Sequence, residues 1–120
     1  MPKSSKPIAC ICGSRSIKWV SFGLYLNPED YGQILTGGAN GVDTLAEKWA
    51  RQHGIEVLIY KPQYEVYGGK YAPIQRDKDL VNASDIVIAF WDGKSKGTKF
   101  TIDYARELGV PTIVHLIEER

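Results

Sequence analysis

The stretch Leu35-Thr36-Gly37-Gly38-Ala39-Asn40-Gly41-Val42-Asp43, LTGGANGVD, puts three glycines in five positions between an apolar run and a helical pattern. Glycine lets the backbone approach a neighbour closely and adopt positive φ, but it weakens the chain locally. The stretch is therefore either a tight strand-to-helix turn or a turn that holds a ligand. Residues 33–36 before it read as a short strand. After it, Val42, Leu45, Ala46, Trp49 and Ala50 mark one face of an amphipathic helix that Gly54 closes.

The same unit recurs on either side. Residues 8–12 form an apolar run ending at Gly13, a buried strand. Ile17, Val20, Ser21 and Leu24 then follow at helical spacing, and Asn27-Pro28 stops that helix. Residues 55–60 make a third strand. Residues 61–72 carry Tyr64, Tyr67, Gly68, Gly69 and Tyr71 without a period and read as a long loop. A helix is expected from about Pro73, with proline in its first turn, to about Asn82. Residues 86–90 form a fourth, central strand. Residues 97–108 form a helix ended by Gly109, and residues 112–117 form the fifth strand.

Alternating strands and helices predict an α/β fold: a single Rossmann-like domain over residues 8–120 with a mostly parallel five-stranded sheet and helices on both faces. A disordered polar tail is expected over 1–7. Parallel strands put all their exits on one edge, where open α/β sheets bind ligands. Three exits are rich in glycine and serine: Gly13-Ser14-Arg15-Ser16, Gly37 to Asp43, and Trp91-Asp92-Gly93-Lys94-Ser95-Lys96-Gly97-Thr98. Helix N-termini present free N–H groups and partial positive charge, so converging exits of this type suit an anion, such as a nucleotide phosphate.

The composition narrows the class. The chain has 120 residues, 43% hydrophobic and 24% charged, with formal net charge +1, which is ordinary for one globular domain. A near-neutral chain with no basic run beyond residues 94–99 lacks the positive groove of a single-strand binder, so nucleic acid is not the expected partner. No apolar segment is long enough for a signal peptide or a membrane span, so a cytoplasmic home is expected. Cys10 and Cys12, two apart on one strand, read as small core residues on one face, and neither a metal nor a cofactor is expected. The dinucleotide fingerprint and the P-loop are both absent.

Cys12-Gly13-Ser14-Arg15, Thr36 to Asp43, Tyr67-Gly68, Ala72-Pro73-Ile74-Gln75-Arg76 and Ala89 to Thr98 together resemble the SLOG superfamily. The likeness is to its small stand-alone members, related to the YspA and YpsA proteins, and it runs from about Ile8 to Ile117. It implies a Rossmann-like sheet that binds nucleotides or nucleotide-derived ligands. The superfamily includes the LOG phosphoribohydrolases, the DNA-processing protein DprA, and sensor domains for cyclic ADP-ribose-type signals. It also implies a homodimer or higher homo-oligomer. LOG enzymes carry a glutamate at the position occupied here by Thr101, which cannot ionise, and an arginine comparable to Arg76. Half of that catalytic pair is present, which favours binding over hydrolysis. If the chain is an enzyme, Arg76, Asp43 and Asp92 are its candidate catalytic residues.

The expected ligand is therefore a nucleotide-derived small molecule. Its expected shell is Gly13, Ser14, Arg15, Gly37, Gly38, Ala39, Asn40, Gly41, Val42, Asp43, Arg76, Trp91, Asp92, Ser95, Gly97 and Thr98. Backbone amides of residues 37–42 would cradle a phosphate. Arg15 and Arg76 offer planar forks for phosphate oxygens, although Arg15 has an equal alternative in a surface carboxylate. Asp43 either meets the ligand or serves the helix dipole, and Asp92 either accepts from a ribose hydroxyl or closes a turn. Trp91 either stacks on a base or packs on its own loop. The tyrosines of residues 60–71 form either a lid or an oligomer contact.

Overall fold

The computed structural model describes residues 6–118. Five strands, β1 (Ile8–Gly13), β2 (Gln33–Thr36), β3 (Glu56–Ile59), β4 (Ile86–Trp91) and β5 (Thr112–Leu116), form one sheet in the order β3-β2-β1-β4-β5. Every pairing is parallel, with Cys10 opposite Leu35 on one side and Val87 on the other. Helices α1 (Val42–Gln52), α2 (Tyr64–Asn82) and α3 (Lys96–Glu107) make the crossovers.

The strand pleat divides the core in two. Ala9, Ile11, Ile34, Ile88 and Phe90 face Val42, Ala46, Trp49 and Ala50 of α1. Cys10, Cys12, Leu35, Val87 and Ala89 face Leu80 and Val81 of α2 and Ile102 and Ala105 of α3. Both faces are thus covered, which a buried parallel sheet requires. The two cysteines do share a face, as their spacing predicts. His53 packs on Trp49 and His115 on Phe90, with ring centroids 5.2 and 5.1 Å apart.

Two expectations are corrected. No α-helix follows β1: residues 14–32 contain only the short 3₁₀ turns Phe22–Leu24 and Pro28–Asp30. Ile17, Phe22 and Leu26 reach the core from an irregular path, while Leu24, assigned to the helical face, is 80% exposed. A helix this short is costly to nucleate, and burial of three spaced anchors replaces it. The second correction is the supposed loop over 61–72, most of which is helical. α2 begins at Tyr64, nine residues before Pro73, and is interrupted once, at Gly68 (φ 79°, ψ 172°). Tyr64, Val66, Tyr67 and Tyr71 are all exposed, so no apolar stripe marks the turns.

Of the tail, residues 1–5 lie outside the described residues, and the Pro7 carbonyl accepts from the Gly32 N–H at 3.0 Å. Among the described residues no helix is long and apolar enough to cross a membrane.

Candidate functional site

The strand order reverses between β1 and β4, because β2 and β3 lie to one side of β1 and β4 and β5 to the other. Ligands of open α/β sheets sit at such a switch point, beyond the strand C-termini. A cleft of about 340 Å³ lies there.

Its floor is a set of cross-links between chain exits. The Ser14 N–H donates to the Phe90 carbonyl at 3.1 Å, and the fully buried Ser14 hydroxyl accepts from the Asp92 N–H at 3.0 Å. Ser16 donates its hydroxyl proton to the Asp92 carboxylate at 2.7 Å. The same carboxylate accepts from the backbone N–H groups of Lys94 and Ser95, both at 2.8 Å. These donors, Ser16 foremost, hold the Asp92 carboxyl well below the usual carboxylate range. Asp92 thus closes the turn, one of its two expected roles, from a position in the cleft wall. Ser95 caps α3, accepting weakly from the Thr98 N–H at 3.4 Å.

The opposite wall is built on Arg76, which is 9% exposed. Its guanidinium donates to the Gly37 carbonyl, to the Tyr60 carbonyl at 3.4 Å and to Asp77 at 2.7 Å. Asp43, 6% exposed, accepts from the Ala39 N–H at 3.1 Å and so closes the glycine turn on itself. Burial pushes its carboxyl up to about 6 against the pull of the Ala39 N–H and the Arg76 charge. Burial also raises Asp77, opposed by Arg76 and by a hydrogen bond from Thr101.

The cleft wall includes nine of the expected residues: Gly13, Arg15, Ala39, Asp43, Arg76, Asp92, Ser95, Gly97 and Thr98. Ser14, Gly37, Gly38, Asn40, Gly41, Val42 and Trp91 do not line it. Ser14 and Val42 are buried beneath it, and Gly37 supports Arg76. The Trp91 indole donates to the Ser95 carbonyl at 3.0 Å, so the tryptophan packs on its own loop. The wall also includes Cys12, Ser16, Pro73, Asp77, Leu80 and Thr101, absent from the expected shell. Pro73, Arg76, Asp77 and Leu80 recur at three and four residues. That spacing was readable from the helix expected over residues 73–82. Among the described residues no group of acidic, cysteine and histidine side chains could hold a metal.

The buried carboxyl has a measurable consequence. The folded pKa of Asp43 lies above its ordinary 3.8, so the unfolded chain releases this proton first as pH rises. The stability it contributes is complete below the ordinary pKa and is lost as pH climbs through about 6. Relative to Asp43→Asn, the wild type should lose urea resistance between about pH 4 and pH 7. Parallel midpoints for the two proteins across that window would contradict the assignment.

Fold and cleft together define a Rossmann-like α/β protein with a ligand-sized site at the sheet's switch point. A model of the YspA, cpYpsA-related SLOG family matches residues 32–67, which include the glycine turn. The chain is 33% identical over 106 residues to the gene 61 protein of Mycobacterium phage D29, covering 82% of this chain and 84% of that protein. DNA processing protein A (DprA) from Streptococcus pneumoniae shares the fold with a TM-score of 0.71 at 18% identity. That match covers 91% of this chain, which spans only 50% of the DprA chain. The chain belongs to the SLOG superfamily, in one family with the phage gene 61 protein.

Proposed function

We propose that the chain binds a phosphate-bearing, nucleotide-derived small molecule in this cleft and holds it intact. The observation that carries the reading is the convergence of three strand exits, with the first turn of α3, on one switch-point cleft. Arg15 stands at its rim, exposed; its carbonyl accepts from Lys18 and its charge reaches Asp77, but among the described residues its guanidinium makes no hydrogen bond or ion pair, which leaves it open to a phosphate. A phage relative suits a role in sequestering a nucleotide-based signal.

Arg15→Ala should weaken binding about ten- to a hundredfold, the value of a charge-assisted hydrogen bond, and leave the urea midpoint unchanged. Unaltered affinity would remove Arg15 from the site.

One observation favours a second reading, hydrolysis of an N-glycosidic bond. Asp43 and Asp77 bring carboxyls with raised pKa to the cleft that lacks an acid at Thr101. A carboxyl near 6 is suited to protonating a departing base while water adds at the anomeric carbon. Binding of single-stranded DNA ranks below both, although a neighbour in fold is a DNA processing protein. Asp43, Asp77 and Asp92 outnumber Arg15 and Arg76 around the cleft, which disfavours a run of phosphates.

The deciding experiment incubates the protein with nucleoside monophosphates, ADP-ribose, cyclic ADP-ribose isomers and cyclic oligonucleotides. Retained and free pools are then analysed by mass spectrometry. One compound retained intact supports binding. Free base with a ribose phosphate establishes hydrolysis. Retention of none overturns the proposal.

A further inference from the structure

A second hollow, of about 250 Å³, lies on the other side of Arg76, between the end of β3 and the start of α2. Arg76 lines both spaces. Its contacts to the Gly37 and Tyr60 carbonyls and to Asp77 hold it as a wall between them. The hollow is smaller than the ~300–1,000 Å³ of a site for a complete drug-sized ligand, so it suits one ring system.

The lining has the chemistry of a ring site. Tyr60 and Tyr67 offer aromatic faces, and Lys61, Gln63 and Asp79 offer donors and acceptors at the edge. The hydroxyls of Tyr60 and Tyr67 and the Gln63 amide have no hydrogen-bond partner among the described residues. The wall comes from both sides of the break in α2: Gln63 and Tyr67 before Gly68, Ala72, Arg76 and Asp79 after it. The break depends on a backbone conformation (φ 79°, ψ 172°) that essentially only glycine adopts.

We propose that this hollow receives the base of a nucleotide whose phosphate lies in the cleft, with Arg76 standing between the two ends. This rests on the reading of the cleft as a phosphate site. The interrupted helix is thus the device that builds a base site beside a phosphate site.

The test is calorimetric titration of the wild-type protein with ribose 5-phosphate and, separately, with the four common nucleoside 5′-monophosphates. At least one nucleotide should bind about tenfold more tightly than ribose 5-phosphate, the scale of one base–aromatic contact. Gln63→Ala and Tyr67→Ala should each erase most of that difference and leave ribose 5-phosphate affinity unchanged. Both side chains are exposed, so neither substitution threatens the fold. Gly68→Ala, where an added methyl meets nothing within 4 Å, should erase it through the backbone alone. Equal affinity of the sugar phosphate and every nucleotide, or variants that weaken both classes together, would overturn the base site while leaving the cleft reading intact. Binding of neither class would overturn both.

Discussion

Arg76→Ala is expected to lower stability by about 3–5 kcal/mol, because it removes one partner of a buried ion pair and leaves the other charged. The guanidinium is 9% exposed and pairs with Asp77 at 2.7 Å. Its charge also opposes the rise of the Asp43 carboxyl pKa. Its loss takes the nearest cation from the buried Asp43 and the partly buried Asp77, leaving Asp77 only the charge of Arg15, and strips the donor from the Gly37 and Tyr60 carbonyls. Against a total of about 5–15 kcal/mol for a domain, the urea midpoint should fall by more than about 1 M. The sign of the pH dependence is fixed by the same carboxyls. Without the cation their folded pKa values rise further, and a protonated carboxyl needs no partner, so the deficit should shrink from pH 8 towards pH 5. The double variant Arg76→Met with Asp77→Leu should be less unstable than Arg76→Ala, because no charge is stranded between them. A wild-type midpoint for Arg76→Ala at pH 8 would show that the guanidinium is a ligand contact only, without a structural role.

Gly41→Ala is the second large effect. Gly41 sits at φ 81°, and a Cβ there would lie 2.6 Å from the Ser14 carbonyl oxygen and 2.7 Å from Arg15 Cα. Dihedral strain costs about 1–3 kcal/mol. The overlap adds a further about 1–3 kcal/mol, because backbone on the facing side cannot rotate away. The relief available is a shift of the β1 exit. That shift pulls the Ser14 hydroxyl from the Asp92 N–H, the bond joining the first and third loops of the cleft. Gly41→Ala should therefore lose both stability and ligand affinity. Gly23→Ala, where a methyl meets nothing within 4 Å and φ is not positive, is the control and should stay within about 0.5 kcal/mol. Equal stabilities for the two variants would show that the glycine turn does not need its close approach to Arg15.

The sheet was legible because its strands are short apolar runs punctuated by glycine. Residues 8–12, 33–36 and 86–90 owe that pattern to burial, which a sequence records directly. The glycine turn was legible as a turn at the sheet's C-terminal edge, and of its residues Ala39 and Asp43 reach the cleft wall. The segment from Tyr64 to Tyr71 was not legible as helix. Its side chains face solvent, and an exposed turn leaves no apolar period. The stretch after β1 failed in the opposite way: Ile17, Val20 and Leu24 imitate a helical period that the chain does not follow.

By itself, then, the sequence determined the α/β class, the parallel sheet and the edge on which the loops gather. Each follows from patterns within ten or twenty residues. The tertiary structure alone decided the order β3-β2-β1-β4-β5, and with it which exits become neighbours. It also decided that Arg76 is a wall, that Trp91 turns onto its own loop, and that Asp77 and Thr101 enter the cleft. The physical reason is the range of the bonds concerned. Ser14 meets Asp92 across 78 positions and Arg76 meets Gly37 across 39, and contacts so distant leave no periodic trace in the chain that makes them.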